Sequence, residues 1–144
     1  MGRFQQGIFK PRNPHKYVGS TPIRLRSSWE FTFANFLDTN INIVEWASES
    51  VKIPYRHPIT GKQTIYVPDF LIRYRDKRNT VITELIEVKP YNQSIVEGKM
   101  NAKQRMTVAI NHAKWASART WCKRQKISFR IITERELYNQ GKRK

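Results

Sequence analysis

The chain has 144 residues, with 27 Lys and Arg against 11 Asp and Glu and a formal net charge of +16. That length suits one domain able to bury a real core unaided, and a hydrophobic share of 39% excludes a wholly disordered chain. The charge favours a polyanionic partner, nucleic acid ahead of membrane. No stretch approaches the roughly 20 apolar residues of a spanning helix, and residues 1–16 lack the apolar centre of a signal peptide. Cys122 is the single cysteine, which leaves no intrachain disulfide and no zinc cluster. Among helical residues beside Trp121 it reads as packing, and a reducing, cytosolic compartment is the expectation.

Residues 1–26 read as a basic arm. Pro11, Pro14 and Pro22 interrupt regular structure, and Gly2, Gly7 and Gly19 add turns. Arg3, Lys10, Arg12, Lys16, Arg24 and Arg26 are spread through it. The arm either hugs the surface or touches phosphate directly. Residues 27–140 then form a single domain, with a basic tail at 141–144.

A first helix starts at Ser27 or Ser28, carries the apolar stripe Trp29, Phe33, Phe36 and Leu37, and ends over 38–40. Short strands follow at 43–46 and 51–55. Pro58-Ile59-Thr60-Gly61 is a turn, and a returning strand spans 64–74, interrupted by Pro68. A second turn at 76–79 leads into the strand 80–89. Val81 and Leu85 lie on one face of that strand, Ile82, Ile86 and Val88 on the other, the pattern of a central strand covered on both sides. Pro90 closes it.

A polar loop at 91–99 leads to a long helix over 100–124, with Ala102, Met106, Ala109, Ala113 and Ala116 as its apolar stripe. A strand at 128–133 and a short helix at 134–139 complete the order. It specifies an α/β domain, a central mixed sheet with helices on both faces.

Acids are scarce, and two stand where acids are unexpected: Asp69 after Pro68, and Glu87 inside the apolar central strand. Facing residues of a hairpin have index sums of twice the turn centre. A turn over 76–79 sets that sum at 155, whereas Asp69 and Glu87 sum to 156. One bulged residue near Pro68 therefore sets them opposite each other, with Cβ atoms about 4.5–5.5 Å apart. Carboxylates that close repel unless a cation lies between them, and magnesium suits a few carboxylate oxygens plus water and phosphate. Lys89, two residues past Glu87, shares its face. There it can orient an attacking water or offset charge growing on a phosphate. The plainer alternative is a strand-surface ion pair of Glu87 with Lys89, beside an edge-strand Asp69.

Pro68-Asp69 followed by Glu87-Val88-Lys89 resembles the PD-(D/E)xK signature of the restriction-endonuclease-like nucleases. A broader likeness runs over residues 8–125: Tyr17-Val18-Gly19, Arg26-Ser27-Ser28-Trp29-Glu30, Glu45-Trp46-Ala47-Ser48-Glu49, Ile53-Pro54-Tyr55, Pro68-Asp69-Phe70 and Ile86-Glu87-Val88-Lys89-Pro90. In that order these motifs resemble the head completion nucleases of large tailed phages, which are similar to the N-terminal domain of TnsA-type endonucleases. The resemblance implies a restriction-endonuclease-like core and DNA cleavage late in head assembly. It implies Asp69 and Glu87 as metal ligands, Lys89 as the catalytic lysine, and Glu30 as a first-helix acid completing both the catalytic and the metal set. The cofactor it implies is Mg²⁺, with Mn²⁺ able to substitute. DNA is the implied partner, with head or neck proteins and a second copy of the chain as further candidates. The setting is the virion or the host cytoplasm during assembly.

Glu30 has another reading, since Ser27-Ser28-Trp29-Glu30 fits a helix capping box. Glu49 reads as structural or as a support to the site. Lys103, Arg105, Asn111 and Lys114, off the alanine stripe, are candidates for holding the DNA backbone; a solvated basic face is the alternative. Trp115 and Trp121 read as core. The rival functional reading is a non-catalytic DNA-binding virion protein that plugs or steadies a filled head; a transposase subunit is a weaker third.

Overall fold

The computed structural model describes residues 7–90 and 101–139; the expected polar loop at 91–99 and the tail at 141–144 fall outside them. The chain runs β1 (Gly7–Phe9), a single 3-10 turn (Pro14–Lys16), β2 (Ile23–Leu25), α1 (Ser28–Thr39), β3 (Ile43–Ser48), β4 (Ile53–Arg56), β5 (Gln63–Tyr66), β6 (Phe70–Arg75), β7 (Val81–Val88), α2 (Ala102–Gln125), β8 (Ser128–Ile132) and α3 (Glu134–Asn139).

Strand β7 is the spine. It is buried without a break from Glu84 to Val88, as its two-faced apolar pattern predicts. The sheet order is β3-β6-β7-β8. β6 lies antiparallel to β3 and to β7, and β8 lies parallel to β7, because α2 carries the chain back to the same end of the sheet. β1 with β2, and β4 with β5, form separate two-stranded ribbons.

Each face of the sheet has its own core. Phe70, Ile72, Ile86, Val88 and Ile132 pack with Trp46 against Phe33, Ala34 and Leu37 of α1 and Phe9, Ile23 and Leu25 of the first ribbon. On the other face, Leu85 packs with Trp115, Ala118 and Cys122 of α2 and with Ile53, Tyr55 and Tyr66 of the second ribbon. The result is the expected α/β architecture: a central mixed sheet flanked by helices on both faces, as in a restriction-endonuclease-like core.

Three details differ from the sequence reading. Residues 7–25, read as part of an arm, hold two strands whose apolar residues enter the core. The prolines do not prevent this, because Pro14 starts the 3-10 turn and Pro11 and Pro22 lie outside the strands. Gly19 sits so close that a Cβ there would meet the Tyr17 hydroxyl at 2.6 Å and Ala47 at 2.9 Å, which explains the glycine of that motif.

The second difference is the face of α2. Ala102, Met106, Ala109 and Ala116 are exposed and Ala113 is half-buried, while Val108, Asn111, Trp115, Ala118 and Cys122 face inward. The row holding Val and Trp offers more apolar area than the alanine row. Asn111, 4% exposed, thus belongs to the inward face and is not presented to an external DNA backbone.

The third is the hairpin register. β6 pairs with β7 as Phe70↔Ile86 through Arg75↔Val81, an index sum of 156 throughout, so no bulge at Pro68 is required. The loop is three residues long, with Asn79 at φ 65°. Asn79 N–H donates to the Asp76 carbonyl (2.9 Å) and Asp76 N–H to the Thr80 carbonyl (3.0 Å). A three-residue loop closed by a left-handed residue is one of the favoured hairpin connections.

Candidate active site

Asp69 stands one step beyond the pair Phe70↔Ile86, directly across from Glu87. Its local geometry is held from three sides. Pro68 is fully buried, the Asp69 carbonyl accepts the N–H of Glu49 at 3.0 Å, and Oδ2 accepts the N–H of Val88 at 2.7 Å. Glu49 itself is left-handed, at φ 50°, a conformation that costs a non-glycine residue energy and recurs at functional sites. The Arg26 guanidinium grips its carboxylate.

Glu87 is 4% exposed. Its Oε1 accepts the Tyr66 hydroxyl at 2.8 Å, and its Oε2 lies 3.7 Å from Lys89 Nζ. Lys89 is therefore on the same face, as the two-residue period requires. Its N–H donates to the Ile132 carbonyl at 3.0 Å, which fixes the strand end that carries it.

Glu30 reaches the same place from α1. Ser27 is the N-cap, and its Oγ accepts the Glu30 N–H at 3.1 Å. The Glu30 Oε1 accepts the N–H of Arg26 at 2.9 Å. One oxygen is thus spent on the helix start, in the manner of a cap, while the carboxylate still acts on the acid pair.

The electrostatics show how closely the groups are gathered. Burial, then the charges of Glu87 and Glu30, push the Asp69 carboxyl well above the carboxylate range, against the opposing pull of the Val88 N–H and Lys89. Burial raises Glu87 as well; Lys89, the Tyr66 hydroxyl and Lys114 oppose it, and Glu30 adds to it. Glu30 is raised by burial, opposed by the Arg26 N–H and charge. Lys114 is lowered by burial and by Lys89, while Glu87 and Asp69 draw it back up. Asp69, Glu87 and Lys89 thus stand together, with Glu30 and Lys114 acting on them through their charges.

The remaining candidates do not converge there. Lys103 and Arg105 are exposed on the first turns of α2. Eleven residues separate Lys103 from Lys114, so they share a flank, about 20° apart, whereas Arg105 lies roughly opposite Lys114. Tyr66 is the residue that sequence reasoning missed. The index-sum rule applied to the turn 58–61 gives 119, the sum of the observed pair Ile53↔Tyr66. That rule locates Tyr66 on its ribbon but not against Glu87, a contact made only by tertiary packing.

Among the described residues, no group of three His, Cys, Asp or Glu side chains stands together at metal-holding range. The two facing carboxylates still suit a hard divalent cation. They are oxygen donors that burial and mutual repulsion leave short of positive charge, and magnesium is commonly held by one or two carboxylates plus water and substrate phosphate.

A mixed sheet with an acid pair on adjacent strands and a lysine beside it is the construction of a restriction-endonuclease-like nuclease domain. The comparisons agree. A family model described as TnsA-like endonuclease N terminal matches residues 40–134. The chain is also similar to the head completion nuclease of Enterobacteria phage T4, 32% identical over 146 residues that cover 94% of this chain and 95% of that protein. The chain belongs to the TnsA-like endonuclease family.

Proposed function

We propose that the chain is a metal-dependent DNA endonuclease that hydrolyses phosphodiester bonds, and that it acts in phage head completion after DNA packaging. The observation that carries the chemistry is the facing pair of half-buried Asp69 and buried Glu87, with Lys89 at 3.7 Å from Glu87. The name of the phage T4 relative supports the setting. DNA is the substrate; head or neck proteins and a second copy of the chain are the further partners we propose, in the virion or in the host cytoplasm during assembly. No helix among the described residues is long and apolar enough to cross a membrane.

Asp69 and Glu87 hold the metal in this reading, with Glu30 as the third acid of the site. When bound, Mg²⁺, or Mn²⁺ in its place, lowers the pKa of a coordinated water and offsets charge on the phosphate. The chain's own groups do the rest. Val88 N–H fixes Asp69, so the carboxylate is aimed before substrate arrives. Lys89 orients the attacking water and offsets the charge that grows on the phosphate. Lys103 and Lys114, on one flank of α2, hold the DNA backbone, a contact that fixes register and carries no base sequence.

The test is cleavage of supercoiled plasmid by the purified chain with Mg²⁺ or Mn²⁺. The expected result is nicking or linearisation that disappears in Asp69→Ala while folding and DNA binding persist. Full activity in that variant overturns the site. A chain that binds DNA with steep salt dependence, binds no divalent metal and cuts nothing would instead be a DNA-binding virion protein without catalysis.

A further inference from the structure

We infer that Tyr66 is a positioning residue of this site, whose hydroxyl fixes one oxygen of Glu87 while its ring seats Lys114 beside the acid pair. The inference rests on the reading of Asp69 and Glu87 as the cleavage site.

Tyr66 ends β5, on a ribbon that is not part of the central sheet. The ribbon is clamped onto α2 by Ile53 and Tyr55 against Trp115, Ala118 and Cys122. Tyr66 is 4% exposed, yet its polar end is not spent on backbone or solvent. It donates to Glu87 Oε1 at 2.8 Å. With Lys89 facing Oε2 at 3.7 Å, each carboxylate oxygen has one neighbour, and the Tyr66 bond sets which oxygen faces which.

The ring has a second task. Lys114 Nζ lies 5.7 Å from its centroid, within range of a cation–π attraction that strengthens as the pair leaves water. Among the described residues Lys114 makes no salt bridge, although Glu87 and Asp69 act on it through their charges, and the Tyr66 ring is its cation–π partner. A lysine seated that way stays available to an incoming phosphate. Tyr66 therefore separates an acid from a cation that would otherwise pair, and it holds both toward the space that substrate must enter. Groups bonded to a metal-ligating carboxylate characteristically set its affinity for the ion.

The experiment uses the full chain and two readouts that need no cleavage: Mn²⁺ binding by titration calorimetry without DNA, and duplex DNA binding in EDTA. Tyr66→Phe keeps the ring and removes the hydroxyl. Its Mn²⁺ affinity is expected to fall about tenfold, with DNA binding in EDTA unchanged. Tyr66→Leu removes the ring as well and is expected to weaken DNA binding in EDTA as much as Lys114→Met does. If the leucine variant does not fold, the phenylalanine variant decides. Wild-type Mn²⁺ affinity in Tyr66→Phe, alongside lost Mn²⁺ binding in Asp69→Asn, overturns the role of Tyr66 and leaves the proposed function standing. Wild-type Mn²⁺ binding in Asp69→Asn overturns the proposed function and this inference together.

Discussion

Asp38 is buried in the last turn of α1, and Asp69 is half-buried just before β6. Around Asp38, which is 1% exposed, every demand is met. Its Oδ2 accepts the N–H of Arg12 at 2.8 Å and its Oδ1 that of Asn13 at 3.0 Å. Lys16 stands beside it, donating to the carbonyls of Asp38 and Asn40 at 3.1 and 2.8 Å. The cluster ties the N-terminal segment to the end of α1. Asp69 instead faces another acid, has a third within its field, and is pushed upward by burial and by both. A buried carboxylate supplied with donors is part of the architecture; a carboxylate set against its own kind is relieved by a proton or a cation from outside the chain.

Substitutions can break or sharpen that contrast. The largest effect expected is at Asp69. Asp69→Asn should lower plasmid cleavage by about a thousandfold, the scale on which loss of a preorganised charge-stabilising group acts. In EDTA the same variant should melt no lower than the wild type, because one of two repelling charges is gone. The sign with pH follows. A carboxyl whose folded-state pKa is raised is protonated in the fold where the unfolded chain has already released the proton. Its contribution to stability therefore falls as pH rises from the ordinary carboxylate range through the raised value. Thermal melts in EDTA should show Asp69→Asn gaining on the wild type as pH rises above the ordinary carboxylate range.

Asp38→Ala should do the reverse. It strands two backbone N–H groups and removes the charge beside Lys16, whose own bonds to backbone carbonyls remain; this costs about 3 kcal/mol of stability as measured by denaturant unfolding, while cleavage per folded molecule is unchanged. Loss of cleavage in a well-folded Asp38→Ala would erase the distinction between the two sites. Lys89→Met should slow cleavage about a hundredfold, the lower range for a positioned proton-transfer or charge-stabilising group, with Mn²⁺ binding retained in calorimetry. Arg73→Gln breaks the half-exposed pair Arg73–Glu45 at 2.8 Å and should cost less than about 1 kcal/mol in denaturant unfolding.

The same contrast explains what could be read from residue order. α1 was legible because its cap, stripe and end are local: Ser27 before the helix, Phe33 and Leu37 on one face, polar residues after. β7 was legible because five consecutive buried positions leave no choice of face. Asp69 and Glu87 could be found because a hairpin makes their pairing a matter of counting. The count was off by one because it assumed a symmetric turn, whereas Asn79 accepts a left-handed conformation that shortens the loop to three residues.

Other features depend on partners distant in the chain. α2 offers alanines on one side and Val108, Trp115 and Cys122 on another. Only the second ribbon and β8, packing against it, decide which row is covered. β1 and β2 are three residues each, too short to show a period, and acquire their place from Trp46 and α1. Lys114 looked like any other cation of a basic helix. It lies over the Tyr66 ring, 48 positions earlier in the chain, and no local pattern announces that contact.

The central claim is that Asp69 and Glu87 are held together to share a divalent cation. An anomalous difference map from a crystal soaked in Mn²⁺ tests it most directly. A peak between the two carboxylates, absent in Asp69→Asn, is expected. Mn²⁺ bound elsewhere with none between these carboxylates, in crystals of a chain that cleaves DNA with Mn²⁺, would contradict it.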